Sequence, residues 1–154
     1  MATYYLDASA LAKRYLREPG GLWINKLLVR SGSHSFSSLE LIAVEVVCAL
    51  SRAEREQRIG RTRRDSLANL FRDEVNTFLD LIPVSAAILQ QANLLALRHP
   101  LRAYDAMHLA TALDLWADLM EIDLPAPIFI SADANLLAAA RAEGLTAENP
   151  NEHE

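Results

Sequence analysis

The sequence predicts an α/β protein with a mostly parallel central sheet covered by helices on both faces. Three observations carry this. Short apolar runs of strand character alternate with longer segments whose apolar residues fall at helical spacing. The alternation runs from one end of the chain to the other, so strands are joined by helical crossovers, and such crossovers make parallel neighbours. Glycine and proline punctuate most of the junctions.

The elements follow in order. "TYYLD" reads as a first strand, Tyr4-Tyr5-Leu6, ending on Asp7. Residues 8–18 read as a helix stopped by Pro19-Gly20-Gly21, and residues 22–31 as a second short helix broken at Gly32. "SHSFSS" reads as a short strand, residues 39–59 as a long helix ending near Gly60, and residues 62–78 as another helix. Residues 79–85 read as a strand, with Pro83 marking an edge or a bend. Helices follow over 86–98, stopped by Pro100, and over 103–120. "APIFISAD" is an apolar strand, and residues 134–144 are a helix ending on Gly144, a glycine of the kind that caps helices. "LTAENP" is a last short strand or tail. With no repeat or linker, one domain is expected over residues 1–149, and residues 150–154 are a polar tail expected to fray.

Composition narrows the class. The 154 residues are 51% hydrophobic with a mean hydropathy of +0.07, which fits one compact core. The single cysteine, Cys48, excludes an internal disulfide framework and a cysteine-rich zinc site, and its apolar surroundings predict a small core residue. The cysteine usage agrees with a reducing compartment. The start lacks a signal-peptide pattern and no stretch approaches a membrane span, so a cytoplasmic location is expected. The net charge of −5 argues against binding nucleic acid by bulk charge, yet leaves room for a local basic surface.

Four acids stand out. Asp7 and Asp133 each follow a strand and precede a helix, a place that suits an N-cap and equally suits a site at the carboxyl end of a sheet. Glu45 has apolar neighbours at helical spacing, namely Leu41, Ile42, Cys48 and Ala49. A carboxylate beside a buried face needs a proton, an ion pair or a metal. Asp105 lies in "RAYDAMHLATAL" between Leu101 and Leu109, where capping or pairing with Arg102 is the alternative to function. His108, one turn on, is expected to support the site at most, with Ser9 and Ser131 beside the two strand-end acids. Glu40 is explained locally: it follows Ser37 at capping-box spacing. Four carboxylates brought together repel unless protons or cations intervene, and an all-oxygen set suits Mg²⁺, with Mn²⁺ as substitute.

The chain resembles the PIN-domain ribonucleases, of the kind found as toxins of VapBC toxin–antitoxin pairs. "YYLDASALAKRYLREPG", "SSLELIAVEVVCALSR", "LRAYDAMHLATAL" and "FISADANLLAAARAEGL" resemble the family's four blocks in order. They place its acids at Asp7, Glu45, Asp105 and Asp133, with the small hydroxyl residue at Ser9. The resemblance implies a three-layer α/β/α sandwich and a Mg²⁺-dependent endoribonuclease. It also implies a VapB-like antitoxin over the groove and a homodimer.

Under that reading the four acids hold the metal, and basic residues guide the RNA. Lys13 and Arg14 are candidates, as are Arg61, Arg63 and Arg64, although runs of this kind are often solvated faces with intrahelical pairs. Rival classes fare worse. A haloacid-dehalogenase-like phosphatase resembles Asp-x-Asp-x-Thr after the first strand, and this chain has "DASAL" there. A phosphoacceptor domain needs a late lysine, and the last one here is Lys26. A PIN fold that has lost catalysis and serves as a partner surface is the remaining alternative.

Overall fold

A computed structural model describes residues 1–30 and 32–153; the end of the expected helix over 22–31 and the last residue of the tail lie outside the described residues. Five strands form one parallel sheet: β1 (Thr3–Leu6), β2 (Ser35–Leu39), β3 (Asp80–Ile82), β4 (Ile128–Ile130) and β5 (Ala147–Glu148). Their spatial order is β3-β2-β1-β4-β5. The chain winds outward from β1 to β3 and then returns to the other side of β1. At such a reversal the connections diverge and open a crevice at the carboxyl ends of the strands. Pro83 follows β3, which is an edge strand.

The helices are α1 (Ala8–Leu11), continued as a 3-10 turn over Ala12–Arg14, α2 (Gly21–Leu28), α3 (Ile42–Arg55), α4 (Arg61–Phe78), α5 (Ala86–Arg98), α6 (Ala103–Glu121) and α7 (Ala134–Ala142). They cover both faces of the sheet, because successive strand residues point to opposite sides. Leu6, Phe36 and Ile130 pack into a core with α1 to α4. Tyr5, Leu39 and Phe129 pack into a second core with α5 to α7. The Tyr5 and Phe129 rings stack across β1 and β4 with centroids 5.4 Å apart. Burial of one such side chain stabilises the fold by roughly 1.5–3 kcal/mol. The three-layer sandwich expected from the sequence is the observed architecture.

Several local expectations are corrected. β2 runs on to Leu39, so Ser37 is a buried strand residue and not a helix cap. Glu40 instead accepts the Val84 N–H on Oε1 at 2.8 Å, tying β2 to the segment after β3. α3 ends well before Gly60: Gln57 takes a left-handed φ of 59° and the Arg58 N–H reaches the Ala53 carbonyl at 2.9 Å. Gly60 lies just before α4 and acts as its N-cap. Cys48 is exposed. The buried stripe of α3 is Ile42, Val46, Leu50 and Ala53, and Cys48 lies about 200° around the helix from Val46. Apolar neighbours in sequence had suggested burial, but Val44 and Val47 share that outer face. Gly144 behaves as expected, with φ of 96° just past α7 and the Leu145 N–H bonded back to the Ala140 carbonyl at 3.0 Å. Among the described residues no helix is long and apolar enough to cross a membrane.

The tail does not fray over its described part. Pro150 is buried, and the His153 ring stacks on Trp23 of α2 with centroids 4.1 Å apart. Gly20, just before α2, has a φ of 80°, and a Cβ there would lie 2.2 Å from the Pro150 carbonyl oxygen. Gly20→Ala therefore meets both a backbone clash and a left-handed conformation. It should destabilise the fold by about 2 kcal/mol in urea unfolding. Removal of residues 150–154 should relieve the clash while exposing Trp23, so Gly20→Ala should cost less in the truncated chain than in the full one.

Candidate active site

β1 and β4 run side by side, with Leu6 opposite Ile130, so their continuations emerge together at the carboxyl end of the sheet. Asp7 and Ser131 meet there. The Ser131 hydroxyl donates to Asp7 Oδ2 at 2.7 Å, and the Ser9 hydroxyl lies 2.8 Å from both Asp7 oxygens. Asp7 Oδ1 also accepts the Ala10 N–H at 2.9 Å and so caps α1. Capping and site placement are both true of this residue. The serines extend the network: Ser9 Oγ accepts the Ala132 N–H at 2.8 Å, and Ser131 Oγ accepts the Asp133 N–H at 3.0 Å.

Asp7 is only 3% exposed. Burial pushes its carboxyl above the ordinary value of 3.8, against the opposing influence of His108 and of hydrogen bonds from Ser131, Ala10 and Ser9. Withdrawal from water outweighs the local donors, because none of them carries a permanent positive charge.

Asp133 repeats the double role. Its Oδ1 accepts the Leu136 N–H at 2.9 Å and caps α7, while Oδ2 lies 3.5 Å from Arg102 Nη2. The same guanidinium donates through Nε to Asp105 Oδ2 at 3.1 Å. One arginine thus bridges two of the four acids. Asp105 lies in the first turn of α6, where the helix dipole also favours its charge.

Glu45 enters from α3 through a chain of hydrogen bonds. Its Oε2 lies 2.6 Å from His108 Nε2, and His108 Nδ1 lies 2.9 Å from the Tyr5 hydroxyl. That hydroxyl accepts the Leu39 N–H at 3.1 Å. Burial raises the Tyr5 pKa strongly, so the phenol keeps its proton and donates it to His108 Nδ1. The imidazole proton then sits on Nε2 and is donated to Glu45. His108 is buried.

Hydrogen bonds and ion pairs connect these segments: Asp7 to the Asp133 backbone N–H through Ser131, the Asp133 and Asp105 carboxylates through Arg102, and Glu45 to α6 through His108. Sequence reasoning passed over Tyr5, although it stands two residues before Asp7 and so on the same side of β1. Arg102 was legible as a partner of Asp105; its reach to Asp133 was not. Among the described residues no buried side-chain polar atom lacks a hydrogen-bond partner, and no three His, Cys, Asp or Glu side chains stand together in a way that could hold a metal ion. The donor chemistry of the set, four carboxylates without a thiolate, fits a hard divalent cation. In this arrangement serines, an imidazole and a guanidinium engage the carboxylates instead.

The basic candidates divide. Arg14 is held by Glu74, Nε to Oε1 at 2.8 Å and Nη2 to Oε2 at 3.0 Å, and Lys13 is buried with Nζ 3.5 Å from Glu18. Neither presents a free cation. Arg64 pairs with Asp65 at 2.6 Å and reaches Glu54 at 3.5 Å. Arg61 and Arg63 are exposed and, among the described residues, pair with no acid. Arg63 lines, with Arg17 and Arg58, a cavity of about 420 Å³ floored by Leu16, Ile59 and Leu67.

The class defined by this geometry is a three-layer parallel α/β protein with acidic residues beyond the carboxyl ends of its central strands, where the strand order reverses. Residues 4–124 match the family model of the PIN domain, a span that holds Asp7, Glu45 and Asp105. Ribonuclease VapC46 of Mycobacterium tuberculosis is 37% identical over 120 residues, 77% of this chain and 81% of that protein. The fold is similar to the crystal structure of VapBC2 from Rickettsia felis bound to a DNA fragment from their promoter. The TM-score is 0.63 over 96% of this chain and 98% of that chain, at 14% identity. The chain belongs to the PIN-domain family, and within it to the VapC type.

Because the folded state favours the protonated form of Asp7, the carboxyl contributes most to stability in acid. That contribution is lost as pH rises from 3.8 through the raised value. The stability of the wild type relative to Asp7→Asn should therefore fall across that window and level off above it, as measured by urea unfolding at a series of pH values. Tyr5→Phe should cost roughly 1–3 kcal/mol, since it leaves the buried Leu39 N–H and His108 Nδ1 without their partner.

Proposed function

We propose that this chain is a metal-dependent endoribonuclease that hydrolyses RNA phosphodiester bonds, using Mg²⁺ or in its place Mn²⁺. We read it as the cytoplasmic toxin of a toxin–antitoxin pair, acting as a homodimer to inhibit translation and held in check by a VapB-like antitoxin. The observation that carries the reading is that Ser131 joins Asp7 to the Asp133 backbone, Arg102 joins the Asp133 and Asp105 carboxylates, and Glu45 bonds His108 on the helix that carries Asp105. The similarity to ribonuclease VapC46 supports ribonuclease chemistry, and the VapBC2 complex supports a VapB-like partner.

Asp7, Glu45, Asp105 and Asp133 would hold the ion. When bound, Mg²⁺ supplies Lewis acidity for water at neutral pH and offsets phosphate charge. The protein's own residues do the positioning. Ser9 and Ser131 orient the Asp7 carboxylate from two sides. Tyr5 fixes the tautomer of His108, and His108 holds Glu45 by Oε2 so that, among the described residues, no hydrogen bond engages Oε1. An acidic crevice without a cation repels RNA, since two unit charges 4 Å apart interact by about 4 kcal/mol at an effective dielectric near 20. Arg61, Arg63 and Arg64 are the candidates to guide the strand.

A second reading, a PIN fold that serves only as a partner surface, draws on the absence of three gathered metal donors among the described residues. One assay separates the two. With Mg²⁺ or Mn²⁺ the wild type should cleave RNA, EDTA should abolish cleavage, and Asp105→Asn should reduce it on the order of a hundredfold. Cleavage that is equal in wild type and Asp105→Asn, or undiminished in excess EDTA, points away from this site. Replacing Arg61 and Arg63 by Gln should weaken RNA binding uniformly across sequences and flatten its dependence on salt.

A further inference from the structure

Arg102 is the only lysine or arginine paired with any of the four acids among the described residues. Its guanidinium spans two of them, Asp105 at 3.1 Å and Asp133 at 3.5 Å. These carboxylates belong to different elements, the first turn of α6 and the N-cap of α7. The arginine side chain is 81% exposed and, although Arg102 stands at the N-cap of α6, the side chain makes no capping bond. Among the described residues the guanidinium makes no other hydrogen bond or ion pair.

We infer that Arg102 is the internal counter-cation of the metal-free site, joining Asp105 to Asp133 and releasing at least one of them when a divalent ion binds. This rests on the metal-dependent reading above. Two like charges drawn into one crevice need a positive group between them. Asp7 is engaged by neutral hydroxyls and Glu45 by an imidazole, so among the described residues the guanidinium is the one permanently charged group paired with the other two. Exposed ion pairs are weakly held, so exchange of one cation for another costs little. Arg102 is in this sense a positioning residue: it keeps two ligands close to their working places and competes with the ion for them.

The test is titration of the full chain with Mn²⁺ by calorimetry, without RNA. Arg102→Met keeps the apolar stem and removes the charge, and it should tighten Mn²⁺ binding about tenfold. Arg102→Gln serves the same purpose should the methionine variant fold poorly. Adding Asp105→Asn to Arg102→Met should abolish the gain. Affinity equal to or weaker than wild type in Arg102→Met overturns the counter-cation role and leaves the metal reading standing. A gain that survives Asp105→Asn places the ion elsewhere and overturns it as well. No Mn²⁺ binding by any variant overturns both the inference and the metal reading.

Discussion

At the end of β1 the backbone turns from strand to helix around one buried carboxyl, that of Asp7. Two serine hydroxyls and a backbone N–H converge on it, and through Ser131 it fastens β1 to the segment leaving β4. The contact crosses the line at which the sheet reverses direction. Were those two strands not adjacent, Asp133 would have no route to Asp7, and α6 would not be positioned to bring Asp105 and His108 toward both. The cost of burying the carboxyl is visible in its raised pKa. The fold tolerates that cost because the hydroxyls offset part of the lost hydration.

Charge is handled differently at each of the four acids. Asp7 is shielded by neutral donors, Glu45 by an imidazole whose tautomer Tyr5 sets, and Asp105 and Asp133 by one shared guanidinium. The depth of each residue explains the choice. The deeply buried acid has short hydroxyl side chains around it. The acids nearer solvent meet an arginine that keeps its own charge largely in water.

The alternation of strands and helices was readable from apolar spacing, and so were the two-sided sheet and the edge position of β3. The acids were readable because a charged residue at a strand end or beside a buried stripe asks for a reason. What could not be read were features that depend on distance in space. Cys48 and Val46 look alike in sequence, yet only one faces the core, because the phase of the α3 stripe is set by its packing partners. Ser37 and Glu40 have capping-box spacing, but pairing with β3 carries β2 past Ser37 to Leu39. Tyr5 was hidden as an ordinary strand aromatic, since its hydroxyl's partners are 34 and 103 residues away.

The sheet finishes in very short strands, three residues in β3 on one side and two in β5 on the other. Unpaired strand backbone is what invites a foreign chain to add itself to a sheet, and brief margins of this sort give it little to grip. Recruitment of other molecules is thereby left to helix surfaces and to the crevice, where side-chain identity rather than generic amide pairing decides who is admitted.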